Sequence, residues 1–291
     1  NALQTVYNLV DMVVVGQFVG SAGLTAVSIG GQITWLLSCL AIGYASGGQI
    51  FISQLVGTRD REGIRRTIGT LFSVIALFSI LFTVLGIAVH RPLLTLLNTP
   101  AEAMKQAADY VVICSAGMFF VYGYNTVSAV LRGMGDSTRP FLFIAIAAIV
   151  NVILDLVLIG GLGFGVGAAA FATIVSQILS AVLCIRKLRR EPEAFRLSFR
   201  ELRMNGNMLR LIVVNGIPAG IQNSIIAVAN VFVQSNINQF GALAMAGCGS
   251  YSKIEGFGFI PVTCFSQALT TFIGQNLGAK EYDRTKKGAL F

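Results

Sequence analysis

NVILDLVLIGGLGFGVGAAAFAT, residues 151–173, sets an amide, an acid and a hydroxyl inside two segments that otherwise read as hydrocarbon. Asn151 and Asp155 stand four apart, so on a helix they share one face. The glycine-rich run from Gly160 to Gly167 turns the next helix back alongside, which brings Thr173 to about the depth of Asp155. A carboxylate at the centre of a membrane helix costs on the order of 2.5–3.5 kcal/mol on insertion scales, so an intramembrane acid points to function.

The remaining composition agrees with a membrane setting. Of 291 residues, 55% are hydrophobic and 12% charged, with a mean hydropathy of +0.75, whereas soluble domains carry about 25% charged residues. Apolar runs long enough to cross a core of ~30 Å fall at 1–18, 24–56, 64–88, 105–131, 140–160, 165–186, 210–235 and 243–277. All eight are expected to be helices, so the fold class is an all-α polytopic membrane protein.

Net charge is +8, and its placement separates a nucleic-acid surface from a membrane topology. Eighteen of the 21 Lys and Arg lie after the second, fourth, sixth and eighth spans, at Arg59–Arg66, Arg132 and Arg139, Arg186–Arg210, and Lys280–Lys287. Alternating helices put all four groups on one side, which the positive-inside rule makes the cytoplasm. We therefore expect a multi-pass protein of the inner, cytoplasmic membrane, surrounded by lipid, with no nucleic-acid partner and acting as a monomer.

A basic linker at 187–209 divides a first lobe, 1–186, with six helices, from the start of a second, 210–291, with two. The lobes repeat. FISQLVGTRDREGIRR, residues 51–66, aligns with FIGQNLGAKEYDRTKK, residues 272–287, at a constant offset of 221, and the same offset pairs Gly20 with Gly241. Both copies end in a basic loop, so the repeat is parallel, as in transporters built from two six-helix halves. On this reading the chain begins part-way through a helix and holds eight helices of a twelve-helix protein, with helices nine to twelve missing.

Inside the spans the acids reduce to Asp11, Asp155 and Glu255, and the bases to Lys253. Asn8 lies one turn before Asp11, which sits about as far from the outer turn at Val19–Gly23 as Asp155 does from its own. Asn8, Asp11, Asn151, Asp155 and Thr173 are thus expected at one level. Two carboxylates with amide and hydroxyl oxygens suit a small hard cation such as sodium. Close carboxylates in low dielectric resist joint ionisation, so a held proton can be exchanged for sodium or a cationic substrate. Interhelical hydrogen bonding is the alternative role for the same groups.

Other polar positions leave two readings open. Asn215, Asn223 and Asn230 trace a stripe on the seventh span that suits either a central cavity or helix contact. Lys253 and Glu255, two apart, belong either to that cavity surface or to separate structural pairs. The turn LRGMGDSTRP, 131–140, reads as a helix ending at Gly133 or Gly135, then a cap at Asp136 or Ser137 with Pro140 in the next first turn. The five cysteines, odd in number and all in apolar segments, read as reduced packing residues. With His90 the single histidine, no metal cluster or nucleophile–base site can be assembled, and no cofactor or enzymatic activity is expected.

Four stretches carry a resemblance: YNLVDMVVVGQFVG (7–20), LRGMGDSTRP (131–140), residues 151–173, and QNLGAKEYDR (275–284). Together they resemble the multidrug and toxic compound extrusion (MATE) transporters. The resemblance implies a two-lobed antiporter that exports organic cations and drugs in exchange for sodium or protons by alternating access. It assigns the coupling ion to Asp11, Asn151, Asp155 and Thr173. No acid occurs at 210–235 to match the branch with a glutamate on the seventh helix. Two rivals remain: a lipid-linked oligosaccharide flippase, which would need a strongly cationic cavity where this chain has Lys253, and a non-transporting membrane scaffold, which would not need paired aspartates.

Overall fold

A computed structural model of the chain describes residues 2–97, 99–190, 204–238 and 242–290. Among them there is no strand. Helices α1 (Ala2–Phe18), α2 (Ser21–Thr58), α3 (Arg61–Leu96), α4 (Ala101–Ala116), α5 (Met118–Gly133), α6 (Thr138–Asp155) and α7 (Val166–Arg189) form one group. Then come α8 (Gly206–Asn238), α9 (Ala242–Gly278) and the short, charged α10 (Tyr282–Leu290). Five of these helices are each long and apolar enough to cross a membrane, and the bent pair α4–α5 makes a sixth. The protein is a multi-pass, all-helical membrane protein.

Three departures from the expected spans have local causes. The fourth span is two helices bent by 50° at Gly117, where a Cβ would lie 2.4 Å from the Ile174 side chain. Only glycine lets α7 pack into the elbow. α3 runs past the expected end at 88, through Pro92 to Leu96, its last turn closed by the Leu97 N–H donating to the Leu93 carbonyl. α10, expected as a basic loop, is a helix with Asp283 in its first turn, where an acid complements the helix dipole. The division at 187–209 falls largely on residues 191–203, outside the described residues.

Burial runs the way a lipid solvent dictates. Large side chains such as Leu77, Ile80, Leu81 and Val84 of α3 and Ile149 and Ile153 of α6 face outward, while Ser, Thr, Asn and Gln side chains are buried between helices. Without a hydrophobic force between helices in lipid, small residues that allow close approach decide contact. α2 shows this along its length. A Cβ at Gly43 would lie 2.3 Å from the Gly220 backbone, and one at Gly47 would lie 2.5 Å from the Ile212 carbonyl. α8 and α9 both rest chiefly on α2 and little on one another.

The repeat is visible in the backbone. Among the described residues, Arg59 and Lys280 are the two non-glycine positions with positive φ, at 58° and 61°, and they stand 221 apart. Each follows a long helix and is separated from the next by one residue. The turns after α2, α5 and α9 gather at one end. Gly133, which closes α5, meets the Gln49 carbonyl of α2, and the Gln275 side chain of α9 reaches the Gly133 carbonyl. In the 131–140 turn, α5 ends at Gly133, Gly135 has φ +96°, and Asp136 Oδ1 accepts from the Arg139 N–H at 3.1 Å. Asp136 is therefore the capping side chain.

Gly43→Ala is expected to lower stability by ~1–3 kcal/mol, because the added methyl meets backbone that cannot turn aside. Gly31→Ala, where a Cβ meets nothing within 4 Å, is expected to be neutral or to add up to ~1 kcal/mol from helix propensity. Thermal unfolding midpoints in detergent, read for both variants beside the parent, check the contrast.

Candidate functional site

Asp11 of α1, Asn151 and Asp155 of α6 and Thr173 of α7 belong to three helices that pack side by side. Asp11 is 4% exposed, and Asn151 and Asp155 are fully buried. The Thr173 hydroxyl donates to Asp11 Oδ2 at 3.4 Å. The Asp11 and Asp155 carboxyls lie close enough to interact electrostatically.

Local sequence explains the convergence. α6 ends at Asp155 and continues as a π-helical turn, Leu156–Gly161, an irregularity frequent at functional sites. That turn leaves Leu156 and Val157 outward and returns Ile159 to the core. Gly160 then accepts the Phe18 ring, whose Cζ would lie 3.3 Å from a Cβ at that position. The ends of α1 and α6 are thereby held together, and their acids meet at one depth. Gly20 and Gly163, at φ 92° and 68°, supply the left-handed backbone of the two turns at this end, a conformation glycine adopts without steric cost.

Paired carboxyls bring hydrogen-bond acceptors together with few donors to satisfy them. Asp11 Oδ1, both oxygens of Asp155, and Asn151 Oδ1 and Nδ2 are buried without a hydrogen-bond partner. Most buried polar atoms in proteins are satisfied, and leaving one unpaired costs ~1–3 kcal/mol. Four such oxygens and one amide nitrogen, on the facing helices α1 and α6, are groups that could hold a proton or a hard cation such as sodium.

The remaining sequence candidates are not brought to this cluster by any contact among the described residues. Asn8 lies in α1 one turn from Asp11, its side chain outside the described residues. Asn215 is exposed and donates to the Leu211 carbonyl of its own helix at 2.8 Å, Asn223 is half-buried and Asn230 exposed. The Glu255 side chain is exposed, and that of Lys253 lies outside the described residues. Among the described residues no group of three or more His, Cys, Asp or Glu side chains gathers. Cys39, Cys114 and Cys184 are buried free thiols, while Cys264 is exposed and so is not the packing residue expected.

The structure adds neighbours that the sequence did not single out. Cys114 lies close to Asp11 and contacts Tyr110 and Thr34, and Gly30 makes room for the Tyr110 ring. A cysteine and a tyrosine in an apolar helix look like packing, and only the fold puts them beside an acid. His90 bonds the Ile87 carbonyl within its own helix.

Comparison with known proteins follows the same stretches. The family model described as MatE matches residues 1–157 and 218–290. The probable multidrug resistance protein YoeA of Bacillus subtilis (strain 168) is 30% identical over 295 residues, covering 99% of this chain and 64% of the relative. An FAD transporter of Shewanella oneidensis is 28% identical over 98% of the chain and 64% of its own length. The solved structure of the MATE multidrug transporter DinF-BH superposes with a TM-score of 0.92 at 26% identity, over 99% of this chain and 65% of that one. The chain thus spans slightly less than two thirds of the length of these relatives. With the model matched over both helical groups, and the paired acids of α1 and α6 inside the matched region, the chain belongs to the MatE family.

Proposed function

We propose that the protein is an ion-coupled antiporter of the cytoplasmic membrane that exports drugs and organic cations by alternating access. One observation carries this reading: two buried carboxyls close together, with an amide on the same face of α6, and three of their four oxygens without a hydrogen-bond donor. Such a cluster has different free energies with a proton, with sodium or with neither. A transporter couples two gradients only where the ion binds the two conformations with different affinity.

In this scheme Asp11 and Asp155 exchange a proton or sodium, Asn151 contributes its carbonyl oxygen, and Thr173 orients Asp11. Cargo occupies the space between a first lobe, 1–186, and a second lobe beginning after the 187–209 linker. The asparagines of α8, exposed at 215 and 230 and half-buried at 223, suit the polar wall of that space. A carboxylate pair alone would serve a scaffold poorly, since hydrogen-bonded amides join helices without the cost of buried charge. The relatives named as multidrug proteins support drug cargo. The Shewanella oneidensis relative, named an FAD transporter, favours a second reading of the cargo as a flat, anionic nucleotide-like molecule.

Proteoliposomes with sodium and proton gradients imposed separately test the scheme, with an organic cation dye and FAD as alternative cargo. One gradient is expected to drive efflux. Asp155→Asn should reduce it by roughly ten- to a hundredfold, the range of coupling energies of ~1–3 kcal/mol. Persistence of full ion-driven efflux in the Asp11→Asn/Asp155→Asn protein would overturn the assignment. Thr173→Val should retain transport but raise the half-saturating ion concentration about tenfold, as loss of one bond to a carboxylate of ~1.5 kcal/mol implies.

A further inference from the structure

The crossing of α2 and α9 is built from the repeated sequence itself, and it makes a contact that the ion site does not explain. A Cβ on Gly57 would lie 2.1 Å from the Gln275 carbonyl oxygen, and a Cβ on Gly278 would lie 2.1 Å from the Gln54 carbonyl oxygen. Gln54 and Gln275, like Gly57 and Gly278, stand 221 apart. The two contacts are copies of one another, as a two-fold axis between the helices requires. Ser53 and Gly274, also 221 apart, meet each other: a Cβ on Gly274 would overlap the Ser53 hydroxyl at 1.8 Å. Equivalent positions touch only on such an axis, so it passes between them.

A polar ring lies beside this crossing, supplied by the 131–140 turn. Arg132 Nε donates to Gln49 Oε1 at 3.1 Å, Gln49 Nε2 donates to Thr271 Oγ1 at 3.2 Å, and Thr271 Oγ1 donates to the Arg132 carbonyl at 3.3 Å. Gln275 Nε2 adds a bond to the Gly133 carbonyl at 3.2 Å. Among the described residues the contact is confined to the end of α9. Gly274 and Asn276 are buried, whereas Phe259, Val262 and Phe265 are exposed.

We propose that this crossing is a clasp that shuts the cytoplasmic mouth of the transporter and must part in each cycle. The inference rests on the exporter reading and extends it to a named device. Gly57 and Gly278 set how closely the helices approach, and the Arg132–Gln49–Thr271 ring holds them there. The materials of the contact suit repeated opening. Backbone carbonyls, amides and hydroxyls at the basic end of the bundle can exchange their partners for water, which interlocked large side chains in the hydrocarbon cannot do.

The test uses the protein with its native cysteines replaced by alanine and Ser53→Cys as reporter, because Ser53 is fully buried at the crossing. Labelling by a membrane-impermeant maleimide is followed from the cytoplasmic face of inside-out vesicles. Gly57→Ala with Gly278→Ala is expected to speed labelling by about tenfold, as a shift in the closed–open population would. Thr271→Val, which conserves volume, should speed it by about threefold and serves if the double variant does not fold. Equal rates in parent and Thr271→Val would overturn the proposal. In a second arm, the Ser53→Cys/Gly274→Cys pair is oxidised and cargo efflux followed. Efflux should stop and return with reductant. Continued efflux with the link formed would overturn the clasp and leave the exporter reading standing. An unlinked protein that moves no cargo would instead count against the exporter reading, and the labelling rates then judge the crossing alone.

Discussion

Backbone approaching backbone along α2 is the constraint from which the other contacts follow. In lipid the solvent is as apolar as a leucine side chain, so helices gain by close contact and by satisfied polar groups rather than by hiding apolar surface. α2 meets α8 at Gly43 and Gly47 and meets α9 at Gly57, in each case at distances that exclude a Cβ. At Gly30 it admits the ring of Tyr110 from α4. The result is a rod of 38 residues against which both halves of the chain are set.

The carboxylate cluster depends on that frame indirectly. α4 and α5, which pack on both α2 and α7, are bent at Gly117 so that Ile174 enters the elbow. Ile174 follows Thr173 in sequence, so the bend that seats one also sets the height of the other. Phe18 lying on Gly160 fixes the remaining side of the site. The acids share a depth because two aromatic or aliphatic side chains each find a glycine on the neighbouring helix.

Much of this arrangement was legible beforehand. An acid four residues after an amide, followed by a glycine-rich turn and a threonine, already placed Asn151, Asp155 and Thr173 together, and the distance from the outer turn added Asp11. Periodicity and turn position suffice when a helix is straight and its partner is the next in sequence. The bend at Gly117, the extension of α3 past Pro92 and the helix α10 were not legible. Glycine and proline inside an apolar run are compatible with a straight, a bent or an ended helix, and neighbours decide which. Cys114, Tyr110 and Thr34 were missed for a related reason, since their residue types carry no sign of which helix they will face.

The sequence by itself determined the class of protein and its internal repeat. Hydropathy sets the spans and the 221-residue register sets the parallel halves, both being properties of residue order. Tertiary structure decided what those features do to one another. Whether Asp11 lies close to Asp155, whether Gln54 and Gln275 present their carbonyls to each other's glycine, and whether Arg132 closes a ring with Gln49 and Thr271 depend on how far apart helices stand and how they are rotated. Those distances are set by steric fit between residues more than a hundred positions apart, which no local pattern encodes.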